Sequence, residues 1–187
     1  MLDGVVLTQF CKQFFGYGEA TAPVWFIGME EGGAGNEQEI ANRLFTWAGE
    51  VHQAPMLADL REFHIDFGDD SRFVEGAPIQ STWRLLMLVM LKLQGQIDNA
   101  TGEVEARELI RQYQIHEFGR IGSGTAILEL MPLPSRSVKD WPYGEWTCPV
   151  AGATRHLALH DAANESRLSL VPFDERRDLA PVHRPVR

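Results

Sequence analysis

Long apolar runs are missing from this chain. No stretch of about 18 uninterrupted apolar residues occurs, so no transmembrane helix is expected. The most apolar segment, Leu85 to Leu93, is too short, and it contains Lys92 and gives way to Gln94 and Gly95. The N-terminus carries Asp3 and lacks a basic region, so no signal peptide is expected. Cysteine is nearly absent. Cys11 and Cys148 are too few and too far apart for a disulfide framework or a zinc site, and Cys11 reads as a core or helix-surface residue. A reduced, cytoplasmic setting is the simplest expectation. Basic residues are in deficit: 17 Lys and Arg against 26 Asp and Glu leave a formal net charge of −9. That excludes a high-affinity, non-specific nucleic-acid binder, which needs clustered cations for phosphate, but it leaves room for a small basic patch.

What is present suits one globular domain. The length of 187 residues fits a single unit, and a hydrophobic share of 44%, with five Trp and ten Phe, supplies a core. Val6, Leu7, Phe10, Cys11 and Phe14 recur at helical spacing over Leu2 to Phe15, and Gly16 and Gly18 stop that helix. Val24-Trp25-Phe26-Ile27, between Pro23 and Gly28, reads as a strand covered on both faces. Asn36 caps a helix with Glu37 and Glu39 in its first turn and Ile40, Leu44 and Trp47 along its apolar stripe. A further helix is expected over Met56 to Phe63, then a loop over Gly68 to Pro78. Helices follow from Ser81 to Leu93 and from Glu103 to Phe118. Thr125 to Met131 reads as a second buried strand, and Pro132 to Ser137 as a stiff exit loop.

This order predicts an α/β fold, three-layered, with a central mainly parallel sheet flanked by helices. The body runs from residue 1 to 147. Residues 148–187 break the pattern, with no convincing strand and only a weak helical patch. They read either as a poorly ordered tail or as a segment out of frame. Codons permitted for Pro181 to Arg187 include a set whose shifted frame spells Ser-Ile-Val-Leu-Tyr-Gly, a buried-strand pattern, so the fold is expected to be incomplete at its C-terminus.

The chemically loaded point is the turn Gly28-Met29-Glu30-Glu31-Gly32-Gly33. Its glycines let backbone approach a ligand, and it lies between a strand and a helix N-terminus. It is neither a Walker loop, since no Gly-Lys-Ser/Thr follows, nor a dinucleotide fingerprint, since the glycine spacing differs. Paired carboxylates at a strand end suit positioning a water, holding a cation or accepting from a base edge. A solvated turn that caps the next helix is the plain alternative. Ligands of open α/β sheets sit beyond the carboxyl ends of strands, where both unusual loops lie.

Strand, Gly-x-x-x-Gly and helix together resemble the first motif of the uracil-DNA glycosylase superfamily. There the turn reads Gly-Gln-Asp-Pro, Gly-Glu-Ala-Pro-Gly or Gly-Ile-Asn-Pro-Gly, and its third position carries the water-positioning Asp or Asn in several branches. Glu30 falls on that position, and Glu31 stands where the family has proline. Ile127-Leu128-Glu129-Leu130-Met131-Pro132-Leu133-Pro134 resembles the family's next strand, with Glu129 near the Asn that reads the uracil edge. The His-Pro-Ser-Pro-like second motif has no counterpart here. The resemblance spans Pro23 to Trp146.

It implies base flipping into a pocket at the strand ends, with Glu30 as the catalytic residue and no metal or cofactor. Gly28, Met29, Glu31, Gly32 and Glu129 would line the substrate. Arg120, Arg136 and Lys139 would touch phosphates. Phe45, Trp47 or Trp141 would stack on the base. The implied partner is DNA or a nucleotide, with no membrane. A non-catalytic nucleotide- or protein-binding module on the same fold is the competing expectation. His156 and His160 share a helical spacing without a third ligand; Asp69, Asp70 and Glu75 lack EF-hand spacing; and Ser135 and Ser137 lack a nucleophile elbow.

Overall fold

The computed structural model describes residues 4–29, 31–33, 36–49, 55–131 and 133–135. Elements run in the order α1 (Gly4–Gln13), β1 (Gly16–Gly18), β2 (Val24–Gly28), α2 (Glu37–Gly49), β3 (Leu57–Ala58), α3 (Leu60–Phe67), α4 (Ser81–Leu93), α5 (Glu103–His116) and β4 (Thr125–Glu129). The strands form one mixed, open sheet in the order β2-β4-β1-β3, so the fold is α/β. β2 and β4 pair in parallel, as do β1 and β3, while β1 and β4 are antiparallel. The tail from residue 148 lies outside the described residues.

Register assigns the faces. Val24, Phe26 and Gly28 oppose Thr125, Ile127 and Glu129, and Tyr17 opposes both Ile127 and Ala58. Side chains on this face join a single core fed by all five helices: Phe10 from α1, Trp47 from α2, Phe63 from α3, Met87 from α4 and Tyr113 from α5. Aromatic packing ties them together, with Phe14 stacked on Phe63 and edge-on to Tyr17. Full burial of each such side chain stabilises the fold by roughly 1.5–3 kcal/mol. On the opposite face Trp25 is 38% exposed and Ile27 60%. The expectation that β2 is covered on both faces is therefore corrected. Its continuous apolar run hides an alternation, in which Val24 and Phe26 enter the core and Trp25 and Ile27 do not.

Helix boundaries follow local chemistry. Asn36 accepts from the Glu39 amide at 3.0 Å, which caps α2, and Ile40, Leu44 and Trp47 are buried as its spacing requires. The helix expected over Met56 to Phe63 begins later. Leu57 and Ala58 form β3 beside β1, and Asp59, in extended conformation, accepts from the amides of Arg61 and Glu62 to start α3. An N-cap therefore interrupts an apolar pattern that reads as continuous helix.

β1 exists because it is almost without side chains. A Cβ on Gly16 would sit 2.0 Å from the Ile127 carbonyl oxygen, and Gly16 has φ of +138°. Only glycine lets β4 come this close, and Tyr17 is the one side chain the strand contributes. Gly16→Ala is expected to destabilise the protein by at least about 2 kcal/mol in urea denaturation, through strain and a forced shift of β4. Gly76→Ala, at positive φ in open space, is the control and should cost only about 1–2 kcal/mol. Equal losses for the two would contradict a tight β1–β4 contact.

Candidate functional site: the cleft beyond β2 and β4

β2 and β4 end side by side, and a cleft of about 1100 Å³ opens beyond their carboxyl ends. Gly28, Met29, Glu31, Gly32 and Glu129 all line it, so five of the residues singled out in the sequence share one cavity. Its size exceeds that of many small-molecule sites. Gly28 and Glu129 are register partners. A Cβ on Gly28 would lie 2.5 Å from Glu129 Oε2 and 3.3 Å from its Oε1. The Glu129 carboxylate therefore rests across the glycine backbone, in space that any other residue would fill.

The loops leaving the two strands stay joined. The Leu130 amide donates to the Gly28 carbonyl at 3.0 Å, and the Ser135 amide donates to the Glu31 carbonyl at 2.8 Å. The far wall is held by Gln114, which is fully buried. Its Oε1 accepts from the Gln80 amide at 2.8 Å, and its Nε2 donates to the carbonyls of Arg72 and Pro78 at 2.9 and 3.1 Å. Gln80 in turn caps α4 by accepting from the Trp83 amide at 2.7 Å.

Glu31 turns into the protein rather than across the mouth. Its Oε2 accepts from the Tyr17 hydroxyl at 2.7 Å and from Arg43 Nη1 at 2.8 Å, and its Oε1 lies 3.1 Å from His64 Nε2. His64 Nδ1 lies 2.8 Å from the Leu60 carbonyl oxygen. Both ring nitrogens thus face acceptors. The Arg43 guanidinium also stacks over Phe67, 4.3 Å from the ring centroid.

Electrostatics follow from this enclosure. Burial alone would raise the Glu31 pKa, but the Arg43 charge, the His64 hydrogen bond and charge, and the Tyr17 hydroxyl outweigh it and hold the group at about 2. Burial pulls Arg43 toward its neutral form, and Glu31 beside it more than compensates, so its pKa is raised. Burial, then the Glu31 charge, pushes the Tyr17 phenol well above its usual range. Glu31 and Arg43 thus form a buried ion pair in which each group holds the other in its charged form.

Other expected site residues fare differently. Glu30, Arg136, Lys139 and Trp141 lie outside the described residues. Arg120 is bound elsewhere: its guanidinium holds Asp59 at 2.7 Å and Glu62 at 3.0 Å, bracing the start of α3. Trp47 is core, with its indole N–H donating to the Pro55 carbonyl at 3.0 Å, while Phe45 is 80% exposed. Tyr17, Arg43 and His64 were not identified from sequence. Arg43 and His64 sit on the buried faces of α2 and α3, and a charged residue at a core position was the available signal. Among the described residues no three His, Cys, Asp or Glu side chains converge to hold a metal, and no helix is long and apolar enough to cross a membrane.

Comparison of the chain with protein-family models, with curated proteins and with solved structures found no match.

Two outcomes follow from the buried pair. Glu31 titrates near 2 when folded against 4.5 ordinarily, so its stabilisation is present above about pH 4.5 and is lost as pH falls toward 2. The contribution is on the order of 3 kcal/mol. Urea denaturation of wild type and Glu31→Gln should show a gap that is full at pH 7 and narrows below pH 4.5; a gap independent of pH contradicts the assignment. Arg43→Met, which strands the Glu31 charge, should cost roughly 3–5 kcal/mol. Adding Glu31→Gln to it should recover part of that loss, and strictly additive costs would contradict the pairing.

Proposed function

We propose that this chain is a nucleobase-handling protein of the uracil-DNA glycosylase-like kind. It receives an extrahelical base in the cleft beyond β2 and β4 and hydrolyses the N-glycosidic bond. The observation that carries this reading is Glu129 lying across Gly28 at the paired ends of two parallel strands, inside a cleft able to enclose a nucleotide. Such strand ends are where open α/β sheets bind ligands.

In the proposed reaction Glu30, at the third position of the turn, orients a water toward the sugar C1′. The water oxygen forms a bond to C1′ while the C1′–N bond breaks and its electron pair leaves with the base. The proton released by the water passes to the carboxylate. Glu31 is excluded as that base, because a group with pKa near 2 accepts a proton poorly at neutral pH. Its place in the mechanism is to hold the turn.

A second reading is a non-catalytic nucleotide- or protein-binding module. It is favoured by the acidic balance of the chain and by the fixed ion pair at the cleft floor.

The test is incubation of the full-length chain, at low salt, with single- and double-stranded DNA containing uracil or each ordinary base, and scoring of alkali-labile abasic sites. The glycosylase reading expects abasic sites whose rate falls roughly 10²-fold or more in Glu30→Gln. DNA or nucleotide binding without abasic sites selects the binding module. Neither cleavage nor binding overturns the base-handling reading.

A further inference from the structure

We infer, resting on the base-handling reading above, that Gln80 selects the base: its side-chain amide donates to a carbonyl oxygen at pyrimidine C4 or purine C6, where cytosine and adenine carry an amino group. Gln80 is half-buried and lines the cleft. Its other polar groups are spent inside the protein. The backbone N–H donates to Gln114 Oε1 at 2.8 Å, the carbonyl accepts from the Arg84 amide at 3.0 Å, and Oε1 accepts from the Trp83 amide at 2.7 Å. The last bond also fixes which way the side-chain amide lies, since a backbone N–H needs the oxygen and not the nitrogen opposite it. What Gln80 has left for the cleft is Nε2, which forms no hydrogen bond among the described residues and is open to solvent.

An amide nitrogen donates and does not accept. Gln80 stands on the wall held by Gln114, across the cleft from the glycine turn. In the reaction proposed above, the sugar C1′ lies at that turn, so the edge of the base remote from the sugar reaches the Gln80 wall. Pyrimidine C4 is directly across the ring from the nitrogen that bears the sugar, and purine C6 lies on the edge remote from N9. Uracil, thymine, guanine and hypoxanthine place a carbonyl oxygen there. Cytosine and adenine place an amino group, whose N–H would meet the N–H of Gln80 and leave two donors without acceptors. The Trp83 ring also lines the cleft. It stands edge-on to His64, with centroids 6.3 Å apart, and lies 5.7 Å from Phe118, so it offers the base an aromatic wall braced from behind.

Charge in the cleft does not favour a phosphate. Glu31, Glu39, Asp69 and Glu129 line it against Arg43 and Arg72, with His64 beside Glu31. Arg43 is already shared between Glu31 at 2.8 Å and Glu39 at 3.5 Å. Hydrogen-bond direction is thus left to sort one base from another, and neutral nucleosides are the fitting probes.

Calorimetric titration of the full-length chain with 2′-deoxyuridine, 2′-deoxycytidine, 2′-deoxyinosine and 2′-deoxyadenosine tests this. Deoxyuridine should bind about tenfold more tightly than deoxycytidine, and deoxyinosine about tenfold more tightly than deoxyadenosine, the scale of one hydrogen bond kept against one donor facing another. Gln80→Glu keeps an oxygen for the Trp83 amide and replaces the NH₂ group by an acceptor, so the preference should reverse toward the amino bases. Gln80→Ser also retains a capping oxygen but has no donor that reaches the base, so the preference should vanish. Urea denaturation of both variants should give midpoints near that of wild type, and either variant alone suffices if the other misfolds. Equal binding within both pairs by wild type, or a preference that survives unchanged in a folded variant, overturns the inference and leaves base handling intact. Failure of every nucleoside to bind at millimolar concentration also overturns it, and the abasic-site assay on DNA then decides the base-handling reading separately.

Discussion

A buried carboxylate organises this protein. Glu31 needs partners because an unpaired charge in a dry interior is costly, and it finds them on three separate elements: Tyr17 in β1, Arg43 in α2 and His64 in α3. The sheet and two helices are thereby drawn to one point beneath the turn that follows β2. A buried ion pair is weak evidence for net stability, because hydrophobic residues of the same volume often do as well. What it provides here is direction. The turn leaves β2 on a path dictated by where the Glu31 side chain must go.

With Glu31 committed inward, its carboxylate is taken up by Tyr17, Arg43 and His64. Backbone hydrogen bonds from Leu130 and Ser135 carry the pairing of β2 and β4 past their ends. The cleft rim is therefore an extension of the sheet, and Glu129 meets Gly28 there because register requires it.

Much of the fold could be read from the sequence. β2, β4, α2, α4 and α5 were legible because each combines a long enough pattern with a recognisable start or stop, such as Pro23 and Gly28 around β2. β1 and β3 were not. Three residues of Gly-Tyr-Gly and two of Leu-Ala carry no periodicity, and both strands exist only through tertiary pairing with β4 and with each other. The site divided in the same way. Gly28, Glu31 and Glu129 were visible because loaded residues clustered at strand ends. Tyr17, Arg43 and His64 were hidden because each looks ordinary in its own segment, and their meaning arises only when three elements converge.

Gln114 shapes the energetics of whatever enters the cleft. One amide side chain fastens the carbonyls of Arg72 and Pro78 and the amide of Gln80, so the loop opposite the glycine turn is held by the protein's own hydrogen bonds. Ordering a loop at the moment of association subtracts directly from affinity. A wall stitched in advance by a buried glutamine avoids most of that loss, and an occupant would meet a surface whose shape does not depend on its arrival.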